Sequence, residues 1–413
     1  MTNTAQPRKE GSSDFLSQYE HICALQGLVP LPAVRTSLKM GMLSFNADRL
    51  RLLDWVPLLS ALRINKTLPS VSIRSTFQPS LQDTMIEKHK SYARRRIPAV
   101  TTKEVTIQLC KAIKGCLTTS TALTNLEFQG ILLRGRDIMF LAKGLNKSAS
   151  LVHLSLAFCP IGDVGLEILC QNLRSVTTLK TVNFTACNLT WRGAKHISTV
   201  LKYQAVKRHE EVWAANLRSR NADLEGMGGL KRVTFNSNPL VGDQGAHAFA
   251  DSICDNLWLR ALDLQLCGIS SGGAKALLDS LESNATLVIL DIRKNPLVDH
   301  SLMRAIIDKL NHNAKSTKSE FKWLSSSSLK DFFKSKQKRR TIILGSGRKG
   351  KATIRIGIPS KKPILTGRRY VPAKDFYVPD PPPGVPWRTA ERAKRTLGEY
   401  SQYKKSRNKK IGE

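Results

Sequence analysis

Leu151-Val-His-Leu-Ser-Leu-Ala-Phe-Cys-Pro-Ile-Gly-Asp-Val-Gly165 carries the pattern on which this chain is built. Apolar residues stand at offsets 0, +3 and +5 (Leu151, Leu154, Leu156), Cys159 at +8, Ile161 at +10 and Gly165 at +14. The same spacing returns as Leu179, Val182, Phe184, Cys187, Leu189 and Gly193. It returns again as Leu230, Val233, Phe235, Asn238 and Leu240, with Gly245 one place late. Two more copies are Leu259, Leu262, Leu264, Cys267, Ile269, Gly273 and Leu287, Leu290, Ile292, Asn295, Leu297. An earlier unit keeps Leu123, Leu126 and Phe128 but has Ile131 where the others have Cys or Asn.

Apolar residues alternating over a short run point to one face of a strand. The following stretch has helical spacing, with Leu166, Leu169, Cys170 and Leu173 in one unit and Ala274, Leu277, Leu278 and Leu281 in another. Asn at +8 can bond backbone groups left unpaired where the chain turns away, and Cys can do so more weakly. The Gly near +14 is read as easing the entry to the helix. A period in the high twenties, one strand and one helix per unit, predicts a leucine-rich-repeat solenoid. The fold class is α/β and ribonuclease-inhibitor-like, with a curved parallel sheet inside and helices outside. Such arrays are normally binding surfaces without a built-in catalytic cleft.

The chain divides into residues 1–66, a disordered start and helical N-terminal cap; 67–313, the solenoid; and 314–413, a basic, largely disordered tail. In the cap, Asp14 to Leu28 and Ala33 to Arg63 read as helices, with Leu50, Leu53, Val56, Leu59 and Leu62 on the apolar face. Leu68, Val71 and Ile73 repeat the strand offsets, and their helix is expected over Lys103 to Leu117, beyond an insertion near 78–98. A second insertion, near 205–229, follows from the spacing of 51 between Leu179 and Leu230 and prolongs the preceding helix. Trp213 within it is read as a packing residue, with an interface anchor as the alternative.

The net charge is +33, and residues 314–413 hold 27 Lys/Arg against 7 Asp/Glu. Such a segment attracts acidic partners. No apolar run reaches about 18 residues, and the N-terminus lacks the apolar core of a secretory signal. The chain is therefore read as intracellular, with reduced thiols and no metal-ligand spacing among its Cys and His residues. Gly345-Ser-Gly-Arg-Lys-Gly350-Lys351 approaches a phosphate-binding loop, but Ala352 replaces the magnesium-binding Ser/Thr and no helix start follows. It reads as a glycine-rich basic turn. No catalytic constellation stands out, and neither an enzyme nor a cofactor is expected.

Offsets +2, +4 and +6 place Asn125, Glu127, His153, Asn183, Arg232, Asn236, Asp263, Asp291 and Arg293 on the inner face. These residues and Trp213 are the candidate partner contacts. Lys338, Arg339, Arg340, Trp387 and Arg388 are the candidates in the tail. The inner face is mixed in sign, which argues against a nucleic-acid groove.

The strings Cys23-Ala-Leu-Gln, Leu31-Pro-Ala-Val-Arg, Phe45-Asn-Ala-Asp-Arg-Leu-Arg, Leu290-Asp-Ile-Arg-Lys-Asn-Pro, Arg339-Arg-Thr-Ile-Ile-Leu-Gly-Ser-Gly and Pro386-Trp-Arg-Thr-Ala-Glu-Arg resemble the 78-kDa centrosomal protein family over nearly the whole chain. The resemblance implies a centriole or basal-body component that supports cilium formation. It also implies association with a ubiquitin-ligase complex containing the Vpr-binding protein. Members of that family continue into a coiled coil, whereas this chain ends at Glu413 without a heptad region. Functions that need the coiled coil are not expected of it. The resulting expectation is a non-enzymatic scaffold in the cytoplasm, at the centrosome and cilium base, that binds proteins through its repeats and uses no small-molecule substrate. The alternatives are a nuclear nucleic-acid-associated protein acting through the tail, with basic runs at Lys336–Arg340 and Lys404–Lys410 as import signals, and a GTPase-regulating repeat protein.

Overall fold

Each copy of the 0/+3/+5 alternation forms a strand in the computed structural model, which describes residues 14–77, 97–217, 226–316 and 321–324. All of them fall in the compact unit that ends at Ser326. The strands are β1 (Leu43–Asn46), β2 (Ser70–Arg74), β3 (Asn125–Gln129), β4 (His153–Ser155), β5 (Thr181–Asn183), β6 (Arg232–Thr234), β7 (Ala261–Asp263) and β8 (Ile289–Asp291). They pair in chain order, all parallel, as one eight-stranded sheet. The helices are α1 (Phe15–Leu25), α2 (Pro32–Lys39), α3 (Leu52–Arg63), α4 (Lys103–Thr119), α5 (Gly135–Leu145), α6 (Gly162–Leu173), α7 (Trp191–Leu217), α8 (Gly242–Ile253), α9 (Ser271–Ser283) and α10 (His300–Ser316). Strands sit about 4.8 Å apart and packed helices about 8–10 Å apart, so the array curves with the sheet on its concave side.

The core is a spine shared between units. In register along the sheet, Leu126, Leu154, Val182, Val233, Leu262 and Leu290 lie side by side, and all are buried. The +5 row, including Phe128, Leu156, Phe184, Phe235 and Leu264, is buried behind them, with Phe184, Phe235 and Phe249 of α8 packed edge to face. Each such side chain contributes roughly 1.5–3 kcal/mol on burial, and much of its wall belongs to a neighbouring unit.

Where +8 is asparagine or cysteine, that side chain bonds the backbone of the turns. Asn238 is fully buried. Its Oδ1 accepts from the amides of Cys187 (3.0 Å) and Leu189 (3.1 Å), while its Nδ2 donates to the carbonyls of Phe184 (2.9 Å) and Phe235 (2.7 Å). Asn295 serves the preceding turn, at Cys267 and Ile269, in the same way. A cysteine there donates its thiol to a carbonyl, as when the Cys187 thiol reaches the Leu156 carbonyl at 3.0 Å, and its sulfur is a weaker acceptor than an amide oxygen. The turn before Cys187 accordingly closes on itself, with Cys159 N bonded to Leu156 O and Ile161 N to Cys159 O.

Just ahead of this position, +7 is left-handed in every unit from Leu123 onward: Gly130, Phe158, Ala186, Ser237, Leu266 and Lys294 have φ between 54° and 68°. That conformation costs a non-glycine residue about 1–2 kcal/mol. It also aims the amides of Phe158, Ala186 and Ser237 at the carbonyls of Thr185, Asn236 and Gln265 in the next unit.

The +14 glycines have a role different from the expected one. Gly165, Gly193 and Gly273 lie inside helices with ordinary φ, and the requirement is space. A Cβ on Gly165 would stand 2.7 Å from Ile138 Cδ1, and one on Gly273 would stand 2.9 Å from Ala246 Cβ.

The cap also differs from the sequence reading. The stretch expected to be one helix, Ala33 to Arg63, holds α2, strand β1 and α3, because Leu43 and Phe45 pair with Val71 and Ile73 as a further unit of the sheet. Within α3 the core face is Trp55, Leu58, Ala61 and Leu62, whereas Leu53 and Val56 point outward. The helix expected over Lys103 to Leu117 is α4, and α7 does extend well past its repeat. α10 ends at Ser316, three residues beyond the expected close of the solenoid. Most of the insertion near 78–98 lies outside the described residues.

Candidate partner-binding face

Period-two alternation that buries one side of the sheet leaves the other as three rows across the concave face. In register, one row runs Ser70, Asn125, His153, Thr181, Arg232, Ala261, Ile289, and the next runs Ser44, Ser72, Glu127, Ser155, Asn183, Thr234, Asp263, Asp291. Asn125, Glu127, His153, Asn183 and Arg232 are brought together on one half-exposed surface. Ser72 Oγ donates to Glu127 Oε2 at 3.1 Å, and Asn183 Oδ1 accepts from the Thr185 hydroxyl at 2.6 Å. The His153 ring nitrogen Nδ1 bonds the Thr181 hydroxyl. Burial pushes the His153 pKa down, with Glu127 pulling it up and Arg232 pushing it down, and the net shift is downward. The imidazole is therefore neutral at physiological pH.

The C-terminal end of the face is chemically distinct. Asn236, Asp263 and Asp291 are buried, and they organise neighbouring residues. Arg232 forks onto Asp263 at 2.8 and 2.9 Å, and Thr234 adds a bond to the same carboxylate at 2.8 Å. Burial, joined by the neighbouring Asp291 charge, raises the Asp263 pKa more than Arg232 and Thr234 lower it. Arg293 forks onto Asp291 at 2.8 and 2.6 Å, and that bonding raises the Arg293 pKa. Asn236 Oδ1 takes the amide of Gln265 at 2.7 Å.

Both guanidinium groups then reach a segment that follows α10. Arg232 Nη1 donates to the Lys322 carbonyl (2.9 Å) and Arg293 Nη2 to the Leu324 carbonyl (3.1 Å). The Arg293 guanidinium lies 5.3 Å from the Trp323 ring centroid, within cation–π range. Phe321 packs on Ala261, Val288 and Ile289. Residues 321–324 thus strap the concave face over β6 to β8 and leave β1 to β5 open. Sequence reading passed over this strap. Its signal was the apolar pair Ala261 and Ile289 at inward positions that are polar in β2 to β6.

Trp213, read mainly as a packing residue, is 67% exposed near the end of α7. Lys338, Arg339, Arg340, Trp387 and Arg388 lie outside the described residues, as does the Gly345–Lys351 turn. Among the described residues no three His, Cys, Asp or Glu side chains are grouped to hold a metal, and no helix is long and apolar enough to cross a membrane. All eight cysteines are unpaired thiols, seven of them buried. Burial pushes the Cys110 thiol well above its ordinary range and Cys159, Cys170 and Cys267 to about 12, so these thiols stay protonated.

A Leucine Rich repeat family model matches residues 147–170 and 255–278. The "Centrosomal protein of 78 kDa" of Homo sapiens is 61% identical over 96% of this chain and 58% of its own length. The chain belongs to the 78-kDa centrosomal protein family. Its Xenopus tropicalis relative of the same name is 54% identical over 96% of this chain and 55% of the relative. The chain thus spans a little over half the length of these relatives. Ribonuclease inhibitor of Sus scrofa, a protein of the expected architecture, is 26% identical over 47% of this chain and 44% of its own length. Neither the repeat model nor the relatives' names denote an enzyme family.

Proposed function

We propose that this chain is a non-enzymatic scaffold at the centrosome, centriole and basal body, and that it supports cilium assembly by holding protein partners on the open part of its concave face. The observation carrying this reading is the pair of polar rows over β1 to β5, Ser44, Ser72, Glu127, Ser155 and Asn183 in one and Asn125, His153 and Thr181 in the other, presented on a rigid parallel sheet with nothing in the described chain laid across it. Shallow, polar and rigid surfaces of this kind suit protein contacts better than small-molecule capture. The relatives' name supports the centrosomal setting. A ubiquitin-ligase complex containing the Vpr-binding protein is proposed as one partner, on the strength of the family resemblance.

The test is to express the tagged full chain in ciliated cells beside a Glu127→Lys/His153→Glu/Asn183→Lys variant. The expected result is a centriolar focus for both or for the parent alone, with partner recovery in pull-downs lost in the variant. A diffuse signal from the parent chain rejects the centrosomal setting. Unchanged pull-down by a folded variant rejects the concave face.

A further inference from the structure

Helix α3 is apolar on both sides. Inward it buries Trp55, Leu58, Ala61 and Leu62, while outward it presents Leu52, Leu53 and Val56, continued by Ile64 at its C-cap, between 49% and 63% exposed. A helix that is hydrophobic all round is normally enclosed, yet the described residues leave this side open. Between α3 and α4 the surface sinks into a groove of about 1110 Å³. Its apolar lining includes Val56 and Leu59 of α3, Ile64 just past its end, Ala112 of α4 and Phe140 of α5. Gly115 brings the two helices together there, since a Cβ would meet the Arg63 carbonyl oxygen at 3.1 Å.

The rim is of one sign. Arg63, Lys66, Lys111, Lys114 and Lys147 line the groove with no Asp or Glu among the lining residues. Among the described residues none of the five forms an ion pair. Lys111 and Lys114 sit 5.4 and 5.9 Å from the Phe140 ring centroid, so charge and apolar floor adjoin. Lining positions run from Val56 to Ile64 and from Gln108 to Thr119. At 1.5 Å per residue these spans are roughly 12 and 17 Å, the length of a helix of about three turns.

We propose that this groove receives an acidic amphipathic helix from another protein, its apolar stripe on Val56, Leu59, Ile64 and Phe140 and its carboxylates against the five cations. None of the chain's own segments outside the described residues is net acidic, and the two longest carry the wrong sign. Residues 314–413 hold 27 Lys/Arg against 7 Asp/Glu, and residues 78–96 hold five against two. A second copy docked groove to groove would oppose cation to cation. The inference goes beyond the concave-face reading and stands if that reading fails.

The test uses the full chain and a fluorescent peptide of about 16 residues, with Leu at i, i+3, i+4 and i+7 spacing and Glu elsewhere, read by anisotropy. A scrambled peptide of the same composition controls for attraction to the basic tail. The amphipathic peptide is expected to bind about tenfold tighter than the scrambled one. That preference is expected to disappear in both Val56→Glu/Ile64→Glu and Lys111→Glu/Lys114→Glu. These four side chains are exposed or half-exposed, and unchanged circular dichroism and melting would confirm that the variants fold. Equal binding of the two peptides, or a preference that survives both variants, overturns the proposal. So does a concentration-dependent dimer that Val56→Glu/Ile64→Glu dissolves, which would make a second copy the occupant.

Discussion

Replacing Asn238 tests the repeat architecture at its most constrained point. Asn238→Ala removes the only acceptor shown for two amides, those of Cys187 and Leu189, in a fully buried turn. It also removes one donor each from the Phe184 and Phe235 carbonyls, although the latter keeps the Cys267 thiol at 3.3 Å. A buried polar group left unpaired costs about 1–3 kcal/mol. The two amides together therefore predict a loss of roughly 4 kcal/mol. Asn238→Cys should cost less, by about 1–2 kcal/mol, because a thiol can still donate to Phe184 and the Cys187 turn can close on itself as the Cys159 turn does. The assay is urea unfolding of the full chain followed by far-ultraviolet circular dichroism, comparing midpoints at matched slopes. Equal losses for the two variants, or a loss below about 0.5 kcal/mol for alanine, would show that the asparagine does not carry the turn and refute the reasoning.

Asp243 bonds the Ser270 amide at 2.7 Å and hydroxyl at 2.5 Å; its burial raises the carboxyl pKa, but these bonds outweigh that and hold it below the usual range. Its contribution to stability is therefore present above the unfolded carboxylate pKa near 3.9 and lost as pH falls through the folded value. Asp243→Asn should flatten that acid limb in a melting-against-pH series. Of the eight thiols, Cys254 alone is not fully buried, so native protein should label at this one site with iodoacetamide, read by peptide mass spectrometry, and at all eight in denaturant. Gly273→Ala should lower the unfolding midpoint, since its Cβ would press at 2.9 Å on Ala246 Cβ, which no rotamer change can move; overpacking of this kind costs about 1–3 kcal/mol.

Much of the fold is legible in the sequence because a shared spine demands the same residue type at the same offset in every unit. The strand at Leu43–Asn46 escaped because Leu50 to Leu62 also has helical spacing, and the helix reading was carried back over it. The repeat offsets were present there too, as Met40, Leu43, Phe45, Asp48 and Leu50, 28 residues before Leu68. Asp48 takes up the +8 role by accepting from Ser75 Oγ at 2.6 Å and Thr76 N at 2.8 Å. The left-handed +7 residues were invisible for a physical reason. Inter-unit bonding holds that conformation, so Phe, Ala, Ser, Leu and Lys occupy it beside a single glycine. On the candidate face, position was readable but availability was not. Asp263 and Asp291 have the right parity for the concave side, yet parity cannot reveal that arginines from the two flanking rows, Arg232 and Arg293, cover them.

The strap at 321–324 decides where this protein can be cut. A fragment ending with α10 keeps every helix and strand described above, yet it bares Ala261, Val288 and Ile289 as an apolar notch beside two arginines stripped of their carbonyl acceptors. Such a truncation would behave as a sticky, shortened body, and binding seen with it would report the wound as much as the native surface. Boundaries for any minimal fragment therefore belong past Leu324, inside what the amino-acid composition marks as tail.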